Sequence, residues 1–271
     1  MKFDCVLTSC NDNPNYSDFI PIFIQTWKKL YHNVDIKIIY IGDKIPDKYS
    51  DYKKHLILFK PLIDDKEPIV DKYEIPFNSS DTIKDGYYLY RDSNKQCKLL
   101  SRRNVLTSFT AQYIRLLYPA LLKYNNAIMI TDIDMIPLNK KYFNKHIENI
   151  DNNKFVYTRG NICKDEIVMC YNYATPSVWS EIFEIKTIDD VKNRLIDVFR
   201  KNISGNDKKS FERGSGKEWG IDQYDLTNTI KKWNSNTGRY HVSNDSFQER
   251  IMQRNHLEER REHTLHAMHR Y

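Results

Sequence analysis

The hydrophobic pattern changes period several times along the chain, and each change marks an element. Residues 3–9 (FDCVLTS) and 35–41 (DIKIIYI) are short, nearly continuous apolar runs, the signature of strands buried on both faces. Between them Phe19, Ile20, Phe23, Ile24, Trp27, Leu30 and Tyr31 recur at helical spacing. That spacing predicts a helix over 17–31, with Ser17 or Asp18 as N-cap and Pro21 near the first turn. Asn11 to Asn15, with Pro14 among them, read as the turn before it. Strand, helix and strand in this order form a βαβ unit with parallel pairing and a right-handed crossover. Residues 56–59 (LILF) supply a third strand, ended by Pro61.

The pattern then lapses over 62–100, where Pro68, Pro76, Asn78, Ser79, Ser80 and Gly86 interrupt a polar stretch. A segment of this length in a compact domain is expected to be functional or mobile, such as a lid. Helical spacing returns over 104–124, where Val105, Phe109, Tyr113, Leu116, Leu117, Ala120 and Leu121 share one face and Pro119 predicts a kink or break. Residues 127–131 (AIMIT) predict a buried strand with Asp132-Ile133-Asp134 at its carboxyl end. Further strands are expected at 155–158, 166–172 and 239–243, and helices at 175–185, 187–203 and 219–233. Gly and Ser make 204–218 a loop and a second candidate lid. No internal repeat occurs. Strands alternating with helices predict an α/β fold, a mixed but mostly parallel sheet flanked by helices.

Composition narrows the class. With 271 residues, 40% hydrophobic and 29% charged, the chain can build one large domain or one domain with a subdomain, which excludes global disorder. The formal net charge of +6 favours an anionic ligand, but the basic residues are spread among acidic ones. That spread argues against a nucleic-acid-binding stripe. The 19 Tyr and 12 Phe suit polar, ring-shaped ligands such as sugars and bases. Cys5, Cys10, Cys97, Cys163 and Cys170 are odd in number and form no CxxC pair, so reduced thiols are expected. The polar start MKFDCVLTSC does not read as a signal peptide, and no apolar run reaches the roughly 18 residues of a membrane span. These features lead to the expectation of a cytoplasmic protein.

The chemistry centres on Asp132 and Asp134. In an open α/β sheet, ligands bind beyond the carboxyl ends of the strands. Two carboxylates at the mouth of a buried strand repel each other unless a cation lies between them. A hard divalent ion, Mg²⁺ or Mn²⁺, meets that need and completes its shell with phosphate oxygens. A lone Asp-x-Asp has little specificity. Here it is flanked by the apolar segments AIMIT and MIPL, which sets it apart from a solvated turn.

The run Gln112-Tyr113-Ile114-Arg115-Leu116-Leu117-Tyr118-Pro119-Ala120-Leu121-Leu122-Lys123-Tyr124, leading into residues 127–138 (AIMITDIDMIPL), resembles the signature of GT-A glycosyltransferases. It is similar to glycosyltransferase family 8, with a looser likeness over 1–235. The His-x-x-Gly-x-x-Lys-Pro-Trp stretch of that family is absent from this sequence. The resemblance implies a Rossmann-like GT-A catalytic domain over 1–246. Residues 1–138 would be its nucleotide-sugar half, 139–246 its acceptor half, and 247–271 a tail that completes the metal site.

The resemblance also implies roles. Asp132 would contact the metal or the ribose, and Asp134 would ligate the metal. Arg115, with Gln112 one turn before it, would face the donor diphosphate or sugar. Thr8, Ser9 and Asn11 would line the nucleoside pocket. In Trp219-Gly220-Ile221-Asp222-Gln223, Trp219 and Gln223 would bind substrate. Asp222 would act as general base to the acceptor hydroxyl or stabilise charge at the anomeric carbon. Of the tail histidines His256, His263, His266 and His269, His266 is the expected third metal ligand, with His269 behind it. The implied activity is metal-dependent transfer of a hexose or pentose from a UDP- or GDP-sugar to a hydroxyl of a glycan or protein. A nucleotidyltransferase of similar fold is an alternative, but Ser9-Cys10-Asn11-Asp12-Asn13 lacks the Gly-rich phosphate loop such enzymes carry. A catalytically inactive sugar-nucleotide-binding protein is another.

Overall fold

Seven strands form one mixed sheet in the computed structural model. The model describes residues 1–63, 105–160, 166–203 and 220–244, and the backbone of 87–91 and 97–101. Strand β1 (Phe3–Asn11) lies near the middle of the sheet, parallel to β2 (Asp35–Ile41) on one side and β6 (Ala127–Ile130) on the other. β3 (Leu56–Phe59) extends the parallel half beyond β2. Past β6, β8 (Asn172–Ala174) runs antiparallel to both β6 and β7 (Phe155–Tyr157), and β9 (Tyr240–Val242) closes the far edge parallel to β7. The order is β3-β2-β1-β6-β8-β7-β9, and β8 alone in this sheet opposes the rest. This is the Rossmann-like, mostly parallel architecture expected of the chain.

Side-chain alternation divides the core into two layers. Cys5 and Leu7 of β1, with Ile39 and Ile41 of β2, pack under α3 (Thr107–Leu117), α5 (Pro176–Phe183), α6 (Ile188–Asn202) and α7 (Ile221–Thr237). Val6 and Cys10, with Ile36 and Ile38, face the other way onto α2 (Ile20–Leu30) and α4 (Lys140–Lys145). Trp27 of α2 is fully buried there, with its ring 4.9 Å from that of Phe143 on α4. Helix ends follow local chemistry. Thr187 and Asp190 form a reciprocal capping box on α6, and Gly238, at φ 63°, ends α7 in the left-handed conformation.

The structure corrects several boundaries. The helix expected at 17–31 starts later, at Ile20, because Asn13 caps a separate short helix, α1 (Pro14–Ser17), with Pro14 in its first turn. The end of the polar stretch 62–100 forms an antiparallel pair, β4 (Tyr87–Arg91) and β5 (Cys97–Ser101), which runs one residue past it. α3 gives way at Tyr118 to a 3₁₀ turn around Pro119, as the proline requires. The strand expected at 166–172 is displaced to Asn172–Ala174. Residues 166–171 are irregular, and Tyr171 adopts φ 63°. The sequence reading missed α4 and the 3₁₀ stretch Asp47–His55.

Cys5, Cys10 and Cys170 are buried free thiols, and burial pushes Cys5 and Cys10 up to about 12. The side chains of Cys97 and Cys163 lie outside the described residues. Among the described residues, no helix is long and apolar enough to cross a membrane.

Candidate active site

Strands β1 and β6 both end at one edge of the sheet, and the Asp-x-Asp segment begins two residues beyond β6. The Thr131 N–H still donates to the carbonyl of Leu7, at 3.1 Å, so the parallel ladder fixes the backbone up to Asp132. The chain then turns, with the Met135 N–H donating to the Asp132 carbonyl at 3.2 Å. Ile133, buried in the layer below α2 and α4, anchors that turn. The anchor separates the two carboxylates: Asp132 is half-buried and Asp134 is exposed.

Arg115, in the last turn of α3, organises the site. Its Nε donates to the carbonyl of Gln112 at 3.1 Å, and Nη1 donates to the carbonyl of Thr131 at 3.2 Å and to Oδ1 of Asp132. Nη2 reaches Oδ2 of Asp222 at 3.4 Å. Three elements, α3, the end of β6 and the first turn of α7, therefore meet on one guanidinium. Asp222 is almost fully buried, and its Oδ1 accepts from the N–H of Gln223 at 2.9 Å. Burial pushes the Asp222 carboxyl up to about 6 against the opposing pull of Arg115. Two carboxylates thus share one guanidinium.

The residues expected to line the nucleoside pocket sit at the end of β1, and the two glutamines sit beside Arg115 and Asp222. Ser9 Oγ donates to the carbonyl of Ala111, and Asn11 Nδ2 donates to Thr107 Oγ1 at 3.2 Å, so both tie the end of β1 to the start of α3. Thr8 is fully buried with no partner for its hydroxyl among the described residues. Gln112 and Gln223 are half-buried beside Arg115 and Asp222, and contribute the backbone groups just described. Trp219 and the four tail histidines, including His266, lie outside the described residues.

Tyr16 was not anticipated from the sequence. Burial raises its phenol first, then the charges of Asp134 and Asp132, with Arg115 pulling the other way. The ring is therefore close to all three, and it is 37% exposed. The signal was present in Asn13-Pro14: an N-cap followed by proline at N1 starts a short helix at the end of β1 and turns Tyr16 towards the site.

Asp132 and Asp134 offer oxygen donors, which suit a hard divalent cation. Among the described residues no cluster of three His, Cys, Asp or Glu gathers to hold a metal. The remaining ligands would come from phosphate, water or residues outside this set.

No protein-family model matches the chain, and no curated protein matches it. Among solved structures it is similar to the glycosyltransferase GlyE of Streptococcus pneumoniae TIGR4, at 10% identity and a TM-score of 0.41, over 98% of this chain and 52% of that one. It is also similar to an active-site mutant of LgtC, at 9% identity and a TM-score of 0.34, over 71% of this chain and 69% of that one. The chain thus spans about half the length of GlyE. At these levels neither structure assigns an activity to this chain.

Proposed function

We propose that the chain is a GT-A-type glycosyltransferase that moves a sugar from a UDP- or GDP-linked donor to a hydroxyl of a glycan or protein, with Mn²⁺ or Mg²⁺ at Asp132 and Asp134. The observation that carries this reading is the sharing of Arg115 between Asp132 and Asp222 at the carboxyl edge of a mostly parallel sheet. It joins a cation-binding carboxylate, a phosphate-matching guanidinium and a buried carboxylate of raised pKa in one cluster, a combination typical of a reacting centre.

Each residue has a role in that reading. Asp132 and Asp134 hold the cation, which when bound supplies Lewis acidity to the leaving diphosphate. Arg115 is fixed by the carbonyls of Gln112 and Thr131 and by Asp132 and Asp222, which leaves one Nη2 hydrogen for a donor oxyanion. Asp222 is ionised at neutral pH and protonated below about 6. It suits a base that takes the acceptor proton, or a fixed negative charge beside a developing positive one. Tyr16 lies where a nucleobase or ribose would follow the diphosphate.

Calorimetric titration of UDP and GDP, with and without Mn²⁺, tests the reading on wild type and Asp134→Ala. Nucleotide binding that needs Mn²⁺ and disappears in the variant is expected, and the better ligand identifies the base. Metal-independent binding would remove Asp132 and Asp134 from the cation role. Failure of both nucleotides to bind would count against glycosyl transfer from these donors.

A further inference from the structure

Arg159 is a second buried arginine, and its surroundings differ from those of Arg115. It is 4% exposed, yet it makes no ion pair with a carboxylate among the described residues. Nη1 donates to Cys170 Sγ at 2.6 Å, the guanidinium lies 6.0 Å from the centre of the Tyr171 ring, and Nε is buried with no partner among the described residues. A permanent cation withdrawn from water needs an anion in return, and one cysteine sulfur is a weak substitute for an oxyanion.

Its position is set by the sheet. Thr158 follows β7 and donates Oγ1 to the carbonyl of Tyr171 at 3.0 Å, which folds the 170–171 segment over the strand end and brings Cys170 and Tyr171 against Arg159. Gly160 follows, and a Cβ there would come within 2.1 Å of Val242 Cγ1, so the end of β9 holds this backbone from the other side. β7 points the same way as β1 and β6, so Arg159 emerges at the edge that carries Asp132. β6 and β7 are separated only by β8, two ladder spacings of about 4.8 Å each. Arg159 thus lies beyond the donor carboxylates, on the side away from β1 and Tyr16.

We propose that Arg159 is an anion receptor on the saccharide side of the site, binding the carboxylate or phosphate of an acidic sugar along the Nε edge of its guanidinium. The identity of the carrier, a sugar, rests on the glycosyl-transfer reading. The need for an anion does not. An oxyanion would satisfy the orphaned Nε–H and neutralise the buried charge, whereas a neutral sugar would do neither.

Titration of the full chain with glucuronate, inorganic phosphate and glucose, at constant ionic strength and without nucleotide, tests this. Saturable binding of glucuronate or phosphate is expected, with none of glucose. It should weaken by about tenfold or more in Arg159→Met and recover in part in Arg159→Lys, which keeps the charge but loses the fork. Glucuronate alone would identify a sugar carboxylate, and phosphate alone a phosphorylated sugar. Equal binding of glucose and glucuronate would overturn the receptor, as would wild-type affinity in Arg159→Lys and Arg159→Met, or no anion binding by the wild type. If circular dichroism shows that Arg159→Met does not fold, Arg159→Lys decides: undiminished binding there overturns the proposal. Nucleotide titration of the same preparation separates the two readings. Nucleotide binding without anion binding removes the receptor alone, and anion binding without nucleotide binding removes the donor reading and leaves the receptor.

Discussion

Arg115 Nη2 and Asp222 Oδ2 meet at 3.4 Å where α3 crosses the start of α7, with less than a tenth of either side chain exposed. The same guanidinium holds Asp132, so loss of Arg115 would strand Asp222 without its cation. Removing one member of a buried ion pair costs about 3–5 kcal/mol. Arg115→Met is expected to lose stability on that scale in urea denaturation. The double variant Arg115→Met/Asp222→Leu should recover part of the loss, because it removes the stranded charge. Arg115→Lys should not recover it, since a point ammonium cannot reach Thr131, Asp132 and Asp222 together.

The raised carboxyl of Asp222 makes stability depend on pH. Its folded value, about 6, lies above the ordinary 3.8. Between those values the folded chain holds a proton that the unfolded chain has released. Stability attributable to this group therefore falls as pH rises through the window and is level above about 6. Asp222→Asn is expected to flatten that part of the wild-type stability curve, measured as the difference between the two proteins in urea. If Asp222 serves as a base, the transfer rate of the wild type rises through the same window, and the asparagine variant loses nearly all activity at every pH. A rate that falls there would assign Asp222 to the protonated form instead.

Much of this centre was legible in the residues. The βαβ start, the run 127–131 and the acidic pair beyond it follow from period and position alone, because buried parallel strands must be apolar throughout. The convergence of Arg115 on Asp222 was not legible, since it joins residues 107 apart through the packing of α3 on α7. Residues 166–171 misled for a physical reason: from Ile167 to Tyr171 they are apolar and mostly buried, as a strand would be, but Tyr171 takes a left-handed backbone and Asn172 Nδ2 donates to the carbonyls of Val168 and Met169. Periodicity cannot separate a buried irregular segment from a buried strand. The pair β4–β5 was hidden by the turn residues around it.

Asp225, one turn along α7 from Asp222, anchors the helix. Its Oδ2 accepts from the Tyr113 hydroxyl on α3 and pairs with Arg194 Nη2 on α6 at 2.8 Å, so one carboxylate ties three helices. Burial raises the Tyr113 phenol, which keeps it a donor across the accessible pH range. Asp225→Asn is expected to cost about 1–3 kcal/mol in urea denaturation, the range for a partly buried polar group left without its partner. A cycle with Arg194→Met should show coupling between the two. Because Asp225 bonds to Tyr113 and Arg194 rather than to Arg115 or Asp132, nucleotide affinity should change little. A large loss of affinity would show that the α3–α7 junction sets the geometry of Arg115.

Tyr16 offers the sharpest test of how a donor would lie. Its ring is 37% exposed at the end of β1, and its phenol feels Asp134 and Asp132 next after burial. If those carboxylates hold a cation and its diphosphate, as proposed, an aromatic face beside them is well placed to cover the base. Base–aromatic stacking is worth about 1–3 kcal/mol by alanine substitution. Tyr16→Ala is therefore expected to weaken UDP or GDP binding, measured with Mn²⁺ present, by about tenfold or more. Tyr16→Phe keeps the ring and removes only the hydroxyl, so its affinity should stay close to wild type. If Tyr16→Phe loses as much as Tyr16→Ala, the hydroxyl is the recognising group and the nucleotide is held edge-on, by hydrogen bonding to ribose or base. If neither variant changes binding while Asp134→Ala abolishes it, the base lies away from β1, and the nucleoside pocket must be sought on the other side of the carboxylates.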